Sequence, residues 1–161
     1  MGVSTLAFDK AMVIRALSRS GGTALGSYAY GPELPDSMRN AKATGKGVGH
    51  VYIHVDSAGD DTVGKGSGRM DRSVFDSTDT AVNAIVEIMS TNTIKTALAR
   101  LDQDPQPNAQ EWLKGITVTG DHYGFAQNSE TKKKIKTVAI NMRSHGDALF
   151  ISSCYPDSFV A

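Results

Sequence analysis

Cysteine, an excess of charge of one sign and long apolar runs are all missing or scarce in this chain, and each absence excludes a class of protein. The single Cys154 excludes an internal disulfide framework and a cysteine-rich zinc site. Seventeen basic and seventeen acidic side chains cancel, so a nucleic-acid partner would have to be recognised through local charge. No apolar stretch approaches the roughly 18 residues of a membrane span, and no signal-length leader stands at the N-terminus. We expect a soluble domain without a membrane partner.

The length and composition of the chain fit one compact domain. Its 161 residues are 40% hydrophobic and 21% charged, which is ordinary for a globular protein. Residues 22–49 are rich in glycine, serine and proline, and they predict a loop that is longer than a usual connection. We therefore divide the chain into an N-terminal helix and loop-rich segment, residues 1–46, and one compact unit, residues 47–161.

Apolar residues recur at helical spacing in three places. The first helix is predicted over residues 4–20 and ends at two glycines. The second is capped by Asp76 or Ser77, and the third opens at Thr91 or Asn92. The helices therefore belong to the beginning and the middle of the chain.

Strands are predicted after these helices. Residues 116–119 alternate between apolar and polar side chains, and a short helical turn containing Trp112 and Leu113 is expected before them. The lysine run over residues 132–134 is typical of a solvated strand end, and the alternative is a local basic patch in a chain whose net charge is zero.

The clearest hairpin closes the chain. Residues 135–142 and 148–155 alternate around a turn, and Pro156 is expected to end the second strand. A period of two places the following residues of that strand on one face: Leu149, Ile151, Ser153 and Tyr155. Early and central helices packed on an antiparallel sheet that ends in this hairpin predict an α+β fold.

Two of the four histidines lie four residues apart in an apolar run introduced by glycines, residues 47–55. Histidine exchanges protons near neutral pH, so His50 and His54 are the first candidates for acid–base chemistry. They share one face whether the run is a strand or a helix. A zincin helix would need Glu after its first histidine, and Val51 stands there instead. The third candidate, His122, lies in a glycine-flanked turn.

Several short motifs follow one another in a recognisable order. They are the glycine-led His50 to His54-Val55 run, Gly68-Arg69-Met70, Ser73-Val74-Phe75-Asp76 before a helix, and a final Ser153-Cys154-Tyr155-Pro156. This order resembles the bacterial ribonuclease-A-like toxin domains at the C-termini of contact-dependent inhibition proteins and related polymorphic toxins. The likeness spans residues 47–156, and it implies a ribonuclease-like version of the α+β fold.

The resemblance assigns roles to individual residues. His54 matches the principal catalytic histidine of these toxin domains, and Arg69 matches their phosphate-binding arginine, with Lys65 as the alternative cation. Ser153 stands where the family has a threonine and keeps its hydroxyl group, and Tyr155 matches the family's tyrosine. His50 departs from the pattern, because it precedes His54 by four residues where the family tends to have five.

The chemistry implied by the resemblance is RNA cleavage without a metal or another cofactor. The ribose 2′-oxygen attacks the adjacent phosphorus and leaves a 2′,3′-cyclic phosphate, and DNA lacks this nucleophile. His54 acts as base or acid, while the second proton carrier stays open among His50, Tyr155 and His122. The resemblance also implies a cognate immunity protein, a monomer outside that complex, and secretion or delivery into a target-cell cytoplasm as part of a larger protein or secretion system.

Two other interpretations compete with this one. A uridylate-endonuclease-type toxin would also use two histidines and would recruit His122. A non-catalytic binding or structural protein would bury His50 and His54 as hydrogen-bonded residues away from Tyr155.

Overall fold

The computed structural model describes residues 2–17, 51, 54–56, 72–103, 110–145 and 148–161. Its elements, in chain order, are a 3-10 turn Val3–Thr5, α1 Lys10–Leu17, β1 Val74–Phe75, α2 Thr78–Met89, α3 Asn92–Gln103, β2 Gln110–Thr117, β3 Tyr123–Phe125, β4 Lys133–His145 and β5 Ala148–Phe159. The α+β class is confirmed. The long loop predicted over residues 22–49 lies outside the described residues.

The two central helices form where the apolar spacing predicts them. Ser77 caps α2, and its side chain accepts a hydrogen bond from the Thr80 N–H at 3.1 Å. Each helix buries one apolar face: Ala81, Val82, Ala84, Ile85, Ile88 and Met89 in α2, and Ile94, Ala97, Leu98 and Leu101 in α3. Within the described ranges, no helix is long and apolar enough to cross a bilayer.

The N-terminal helix begins later than the spacing predicts. The chain first makes a 3-10 turn, leaves it in an extended conformation at Leu6, and enters α1 only at Lys10. The Asp9 carboxylate accepts the Met12 N–H at 2.8 Å and so sets the start of the helix. The predicted start at Ser4 is therefore wrong, because a local cap outweighs the longer apolar pattern.

Trp112 and Leu113 lie in strand β2 and not in a helical turn, so that prediction is wrong. Trp112 pairs with Asn141 and Leu113 with Ile140 of β4. Pairing with β4 satisfies the backbone of this segment along its length, and this tertiary interaction outweighs local propensity. The predicted strand 116–119 overlaps only the end of β2, which stops at Thr117.

The sheet is built around the long strand β4. Strand β5 pairs antiparallel with one edge of β4, and β2 followed by β3 pairs antiparallel with the other. Strand β1 pairs with the outer edge of β3. The sheet also curls. The Ser73 hydroxyl, which lies beside β1, donates a 2.6 Å hydrogen bond to the Pro156 carbonyl of β5. Strands at opposite ends of the pairing order are thereby brought together.

A β-bulge at Ser152 divides β5 between the two faces of the sheet. Asn141 pairs with Ser153, whereas the next residue of β4, Met142, pairs with Ile151, so Ser152 is an extra residue. Ile151 therefore faces the opposite side of the sheet from Ser153. The predicted common face is wrong: Leu149 and Ile151 lie on one side, and Ser153 and Tyr155 on the other.

The helices cover the side of the sheet to which Ile151 belongs. Ile140, Met142, Leu149, Ile151 and Cys154 join the helix residues in one buried cluster. Ala139 and Phe150 are also buried but lie outside this cluster, as their position on the other side requires. We call that other side of β2, β4 and β5 the outer face.

Pro156 does not end β5, which continues to Phe159. Proline is tolerated in edge strands and at irregular pairings, because a missing N–H is least harmful there. Both conditions hold, since β5 is an edge strand of the ladder and the pairing shifts between Thr137 and Val138, the partner of Pro156.

Candidate functional site at the outer face of the sheet

His54 is held beside β1 by backbone pairing of its neighbours. It lies in a short 3-10 turn, and the next residue, Val55, forms a parallel bridge with Phe75. The Asp56 N–H donates to the Phe75 carbonyl at 2.8 Å. Val55 and Phe75 are fully buried, whereas His54 is partly exposed. The backbone of this segment is therefore anchored in the core while the imidazole reaches the surface.

The imidazole of His54 is oriented by a backbone carbonyl. Its Nδ1 lies 3.2 Å from the carbonyl oxygen of Ser73. A carbonyl oxygen only accepts hydrogen bonds, so this contact requires the proton to be on Nδ1. In the neutral ring, Nε2 is then the nitrogen with the lone pair, which is the atom that a general base needs.

Tyr155 packs against His54. The two ring centroids are 5.1 Å apart, and the rings are tilted by 34°. The Ser73 residue that orients the imidazole also bonds through its hydroxyl to the Pro156 carbonyl, next to Tyr155. One serine therefore fixes both the histidine and the strand that carries the tyrosine.

The outer face continues from Tyr155 into a row of polar side chains. Trp112, Asn141 and Ser153 stand opposite one another on β2, β4 and β5. Asn141 and Ser153 are buried, at 2% and 8% exposure, whereas Trp112 is 51% exposed. Its ring centroid lies 6.2 Å from that of Tyr155. Three aromatic rings thus lie in sequence along this face: Trp112, Tyr155 and His54.

Asn141 is the centre of a hydrogen-bond network on this face. Its side-chain Nδ2 donates to the Gln110 Oε1 at 3.2 Å and to the Glu111 carbonyl at 3.4 Å. Its Oδ1 accepts from the Ser152 hydroxyl and, at 3.4 Å, from the Arg143 Nε. Because its donors and its acceptor are engaged, this buried amide holds the neighbouring polar side chains of the outer face in place.

His122 is engaged at a different place. Its Nε2 lies 3.0 Å from the Glu87 Oε1, and the two carboxylate oxygens of Glu87 also accept the N–H groups of Thr119 and Gly120 at 2.7 and 2.8 Å. His122 is 9% exposed. This pair fixes the β2–β3 loop to α2, and the contacts of the His122 ring do not include His54 or Tyr155.

Partial burial of Glu87 disfavours its charged form, but the hydrogen bonds outweigh that effect. Together, the donors at Thr119, His122 and Gly120 hold the pKa of Glu87 below its ordinary value of 4.5. Glu87 is therefore a carboxylate at neutral pH and a suitable partner for His122.

The lysine run at the start of β4 is partly neutralised. Lys132 Nζ lies 3.6 Å from Asp76 Oδ2, and Lys134 Nζ lies 3.3 Å from Asp121 Oδ1. Because two of the three lysines have acidic neighbours, the run is a weaker attraction for phosphates than its sequence indicates.

Three sequence-predicted site residues, His50, Lys65 and Arg69, lie outside the described residues. Among the remaining candidates, the structure brings His54 and Tyr155 into contact and places Ser153 on the same face as Tyr155. In the part of the chain that the structure describes, no group of three or more His, Cys, Asp or Glu side chains is arranged to hold a metal ion.

Trp112 and Asn141 were not expected at this face. The sequence around Trp112 lacks strand-like alternation, because two polar residues, Gln110 and Glu111, precede Trp112 and Leu113, and this pattern predicts a helical turn. The signal for Asn141 was a lone amide within the apolar strand of the hairpin. A polar side chain in such a run predicts a specific partner across the sheet.

No protein-family model, curated protein or solved structure matches this chain.

Proposed function

We propose that this chain is an endoribonuclease that cleaves RNA by transphosphorylation. The observation that carries the proposal is the oriented imidazole of His54. A carbonyl holds its Nδ1, Tyr155 packs against its ring, and the adjoining sheet face is polar and partly open. An oriented base beside hydroxyl and amide groups is the arrangement that proton transfer at a phosphodiester requires.

The proposed reaction follows from this arrangement. Nε2 of His54 removes the proton from the ribose 2′-OH, and the resulting oxygen attacks the adjacent phosphorus. The bond from phosphorus to the 5′-oxygen breaks, and an acid protonates that oxygen as it leaves. The products are a 2′,3′-cyclic phosphate and a free 5′-hydroxyl. Negative charge builds up on the non-bridging oxygens during the attack, so nearby donors lower the barrier.

Tyr155 is the described group closest to this chemistry. The Tyr155 ring contacts the His54 ring, and its phenol group can donate a hydrogen bond. Ser153 supplies a second hydroxyl two residues away on the same face. Arg69 is proposed as the guanidinium that binds the phosphate, with Lys65 as the alternative, as the toxin resemblance implies.

The substitution His54→Gln tests the proposal. A positioned acid or base contributes about 100- to 10,000-fold to a rate, and we expect RNA cleavage to fall by a factor in this range. Cleavage of a single-stranded RNA is measured in the presence of a chelator, and the cyclic phosphate end is identified by mass. His145→Gln is the matched control, because it makes the same change at another of the four histidines.

Each outcome of this experiment separates the competing functions. Full activity of the His54→Gln variant would overturn the assignment of His54. An equal loss in His122→Gln, with an unchanged free energy of unfolding, would favour the uridylate-endonuclease type. No cleavage by the wild-type chain under any condition would favour a non-catalytic binding or structural protein.

We extend the proposal to the biological role that the resemblance implies. An antibacterial effector would be secreted or delivered into the cytoplasm of a target cell, and its producer would neutralise it with a cognate immunity protein. Expression of the chain inside a bacterium should then stop growth and fragment RNA, and His54→Gln should abolish both effects.

A further inference from the structure

Among the residues that the structure describes, Trp112 is the most exposed large hydrophobic side chain, and it lies at the end of the ring series that leads to His54. Trp112 is 51% exposed although it lies in the middle of a paired strand. An exposed tryptophan ring beside a candidate site is available to stack on a flat ligand.

The three rings lie one after another, and each is tilted relative to the next. Trp112 and Tyr155 are tilted by 59° with centroids 6.2 Å apart, and Tyr155 and His54 are tilted by 34° with centroids 5.1 Å apart. A flat ligand stacked on Trp112 would therefore lie close to Tyr155. Tyr155 in turn contacts His54, the proposed proton-transfer residue. Successive bases of a single strand have flat faces and a flexible backbone, and they can follow such a series.

Positive side chains flank the rings on the same face. Two residues of β2, Lys114 and Gly115, stand opposite Ala139, because two residues separate Leu113 from Ile116 while one separates their β4 partners. Tyr155 pairs with Ala139 on the other side. Lys114, which is exposed, therefore lies in the same cross-strand row as Tyr155.

Arg143 occupies the neighbouring row on the opposite side of Trp112. It pairs with Gln110 of β2, two residues before Trp112. Asp157 also lies at this position, and its carboxylate accepts the Gly115 N–H at 2.9 Å. A lysine on one side and an arginine on the other give the rings cationic neighbours, which is the combination that proteins use for single-stranded nucleic acid.

We propose that Trp112, with Tyr155, Lys114 and Arg143, forms a stacking platform that binds a base of single-stranded RNA next to the cleaved phosphodiester. The ligand class rests on the proposed function. The occupant is a single strand and not a duplex, because the bases of a duplex are stacked on one another and do not present their faces. Stacking tolerates different bases, so the platform would position RNA without strict sequence preference.

Tryptophan fluorescence gives a direct test, because Trp112 is the single tryptophan of the chain. Its emission is titrated with a single-stranded DNA octamer, which lacks the 2′-OH and cannot undergo transphosphorylation. The same titration is made with the matching RNA on the His54→Gln variant, and with the DNA duplex. We expect quenching by both single strands and little quenching by the duplex.

A second measurement uses variants of the platform. The dissociation constant of a fluorescein-labelled octamer is measured by anisotropy for Trp112→Ala, Trp112→Phe and the control Tyr123→Ala. Tyr123 is also an exposed aromatic residue, and it lies on β3, which pairs with β1 and β4. Loss of one stacked base weakens binding by about 5- to 150-fold, so we expect a loss in this range for Trp112→Ala and partial recovery for Trp112→Phe. Tyr123→Ala should bind like the wild type.

The outcomes distinguish the platform from the proposed function. RNA cleavage without quenching, and with normal binding by Trp112→Ala, would overturn the platform and leave the nuclease standing. Quenching by single strands without RNA cleavage would support the platform and overturn the nuclease. Equal quenching by the duplex and the single strands would overturn stacking as the mode of binding.

Discussion

Glu87 is the side chain on which the β2–β3 loop depends. Its two oxygens together accept three hydrogen bonds, from Thr119, Gly120 and His122. A Cβ atom at Gly120 would lie 2.7 Å from the His122 Nε2 and 2.8 Å from the Glu87 Oε1. Any larger residue there would therefore have to displace the ends of these two side chains.

The Glu87 carboxylate should make stability depend on pH in a definite direction. Its pKa is lower in the folded chain than its ordinary value of 4.5, because three hydrogen bonds outweigh the opposing effect of burial. A lowered folded pKa gives a stabilising contribution that is present above the unfolded value and is lost as the pH falls through the folded value. For Glu87→Gln we expect the difference in free energy of unfolding from wild type to be largest near neutral pH and to shrink below about pH 4.5.

Urea unfolding at a series of pH values measures this difference. Titration of the other carboxyl groups is common to both proteins and cancels in the comparison. Glu130→Gln removes the same charge at an exposed position and controls for net charge. A difference that stays constant down to pH 3 would contradict the account of Glu87.

The β-bulge at Ser152 places Ser153 and Tyr155 of β5 on the outer face. Without the extra residue, Leu149, Ile151, Ser153 and Tyr155 would all point to one side, and the aliphatic pair could not enter the core while Tyr155 meets His54. The Ser152 hydroxyl also donates to the side-chain oxygen of the buried Asn141. The bulge and the hydrogen-bond network of Asn141 therefore stabilise each other.

Removal of that hydroxyl should destabilise the strand pair. In Ser152→Ala, the Oδ1 of Asn141 loses one donor in a buried position, and we expect a loss of about 1 kcal/mol in the free energy of unfolding. Ser152→Thr keeps the hydroxyl and is the matched control, since threonine is well tolerated in strands. Both variants are compared by urea unfolding. Equal stability of Ser152→Ala and wild type would mean that the bulge does not depend on this bond.

The curled sheet and the helices share one hydrophobic core, and Cys154 lies within it. This residue is fully buried on the helix side of β5, and burial raises the pKa of its thiol. A buried thiol with a raised pKa reacts poorly with thiol reagents. Its reaction should therefore report opening of the whole core.

We expect the Cys154 thiol in native protein to react at least about 1,000-fold more slowly than in the unfolded chain, since native domains populate open states at this level or below. Labelling by a maleimide is followed by mass spectrometry across a urea series. Ala161→Cys places a second thiol at an exposed C-terminal position and serves as the internal control. Labelling of both thiols at similar rates in native protein would show that the core opens locally around β5.

The α+β class and the two central helices were predictable from the sequence because their signals are local. The apolar face of α2 and the capping Ser77 lie within one short segment, and so do the alternating residues of β4. The start of α1 and the strand at Trp112 were missed, because Asp9 and the pairing with β4 outweigh the apolar pattern there. The bulge was missed because alternation alone contains no information about an extra residue.

The sequence by itself determined the inventory of the candidate site: a histidine in an apolar run, and a final strand with serine and tyrosine. Only the tertiary structure decided that His54 meets Tyr155 across about 100 intervening residues, that Ser73 orients the first and anchors the strand of the second, and that Trp112 joins them. The physical reason is that periodicity specifies which face a side chain occupies. The curl of the sheet and the register of its strands specify which faces meet, and these depend on contacts between segments that are distant in the chain.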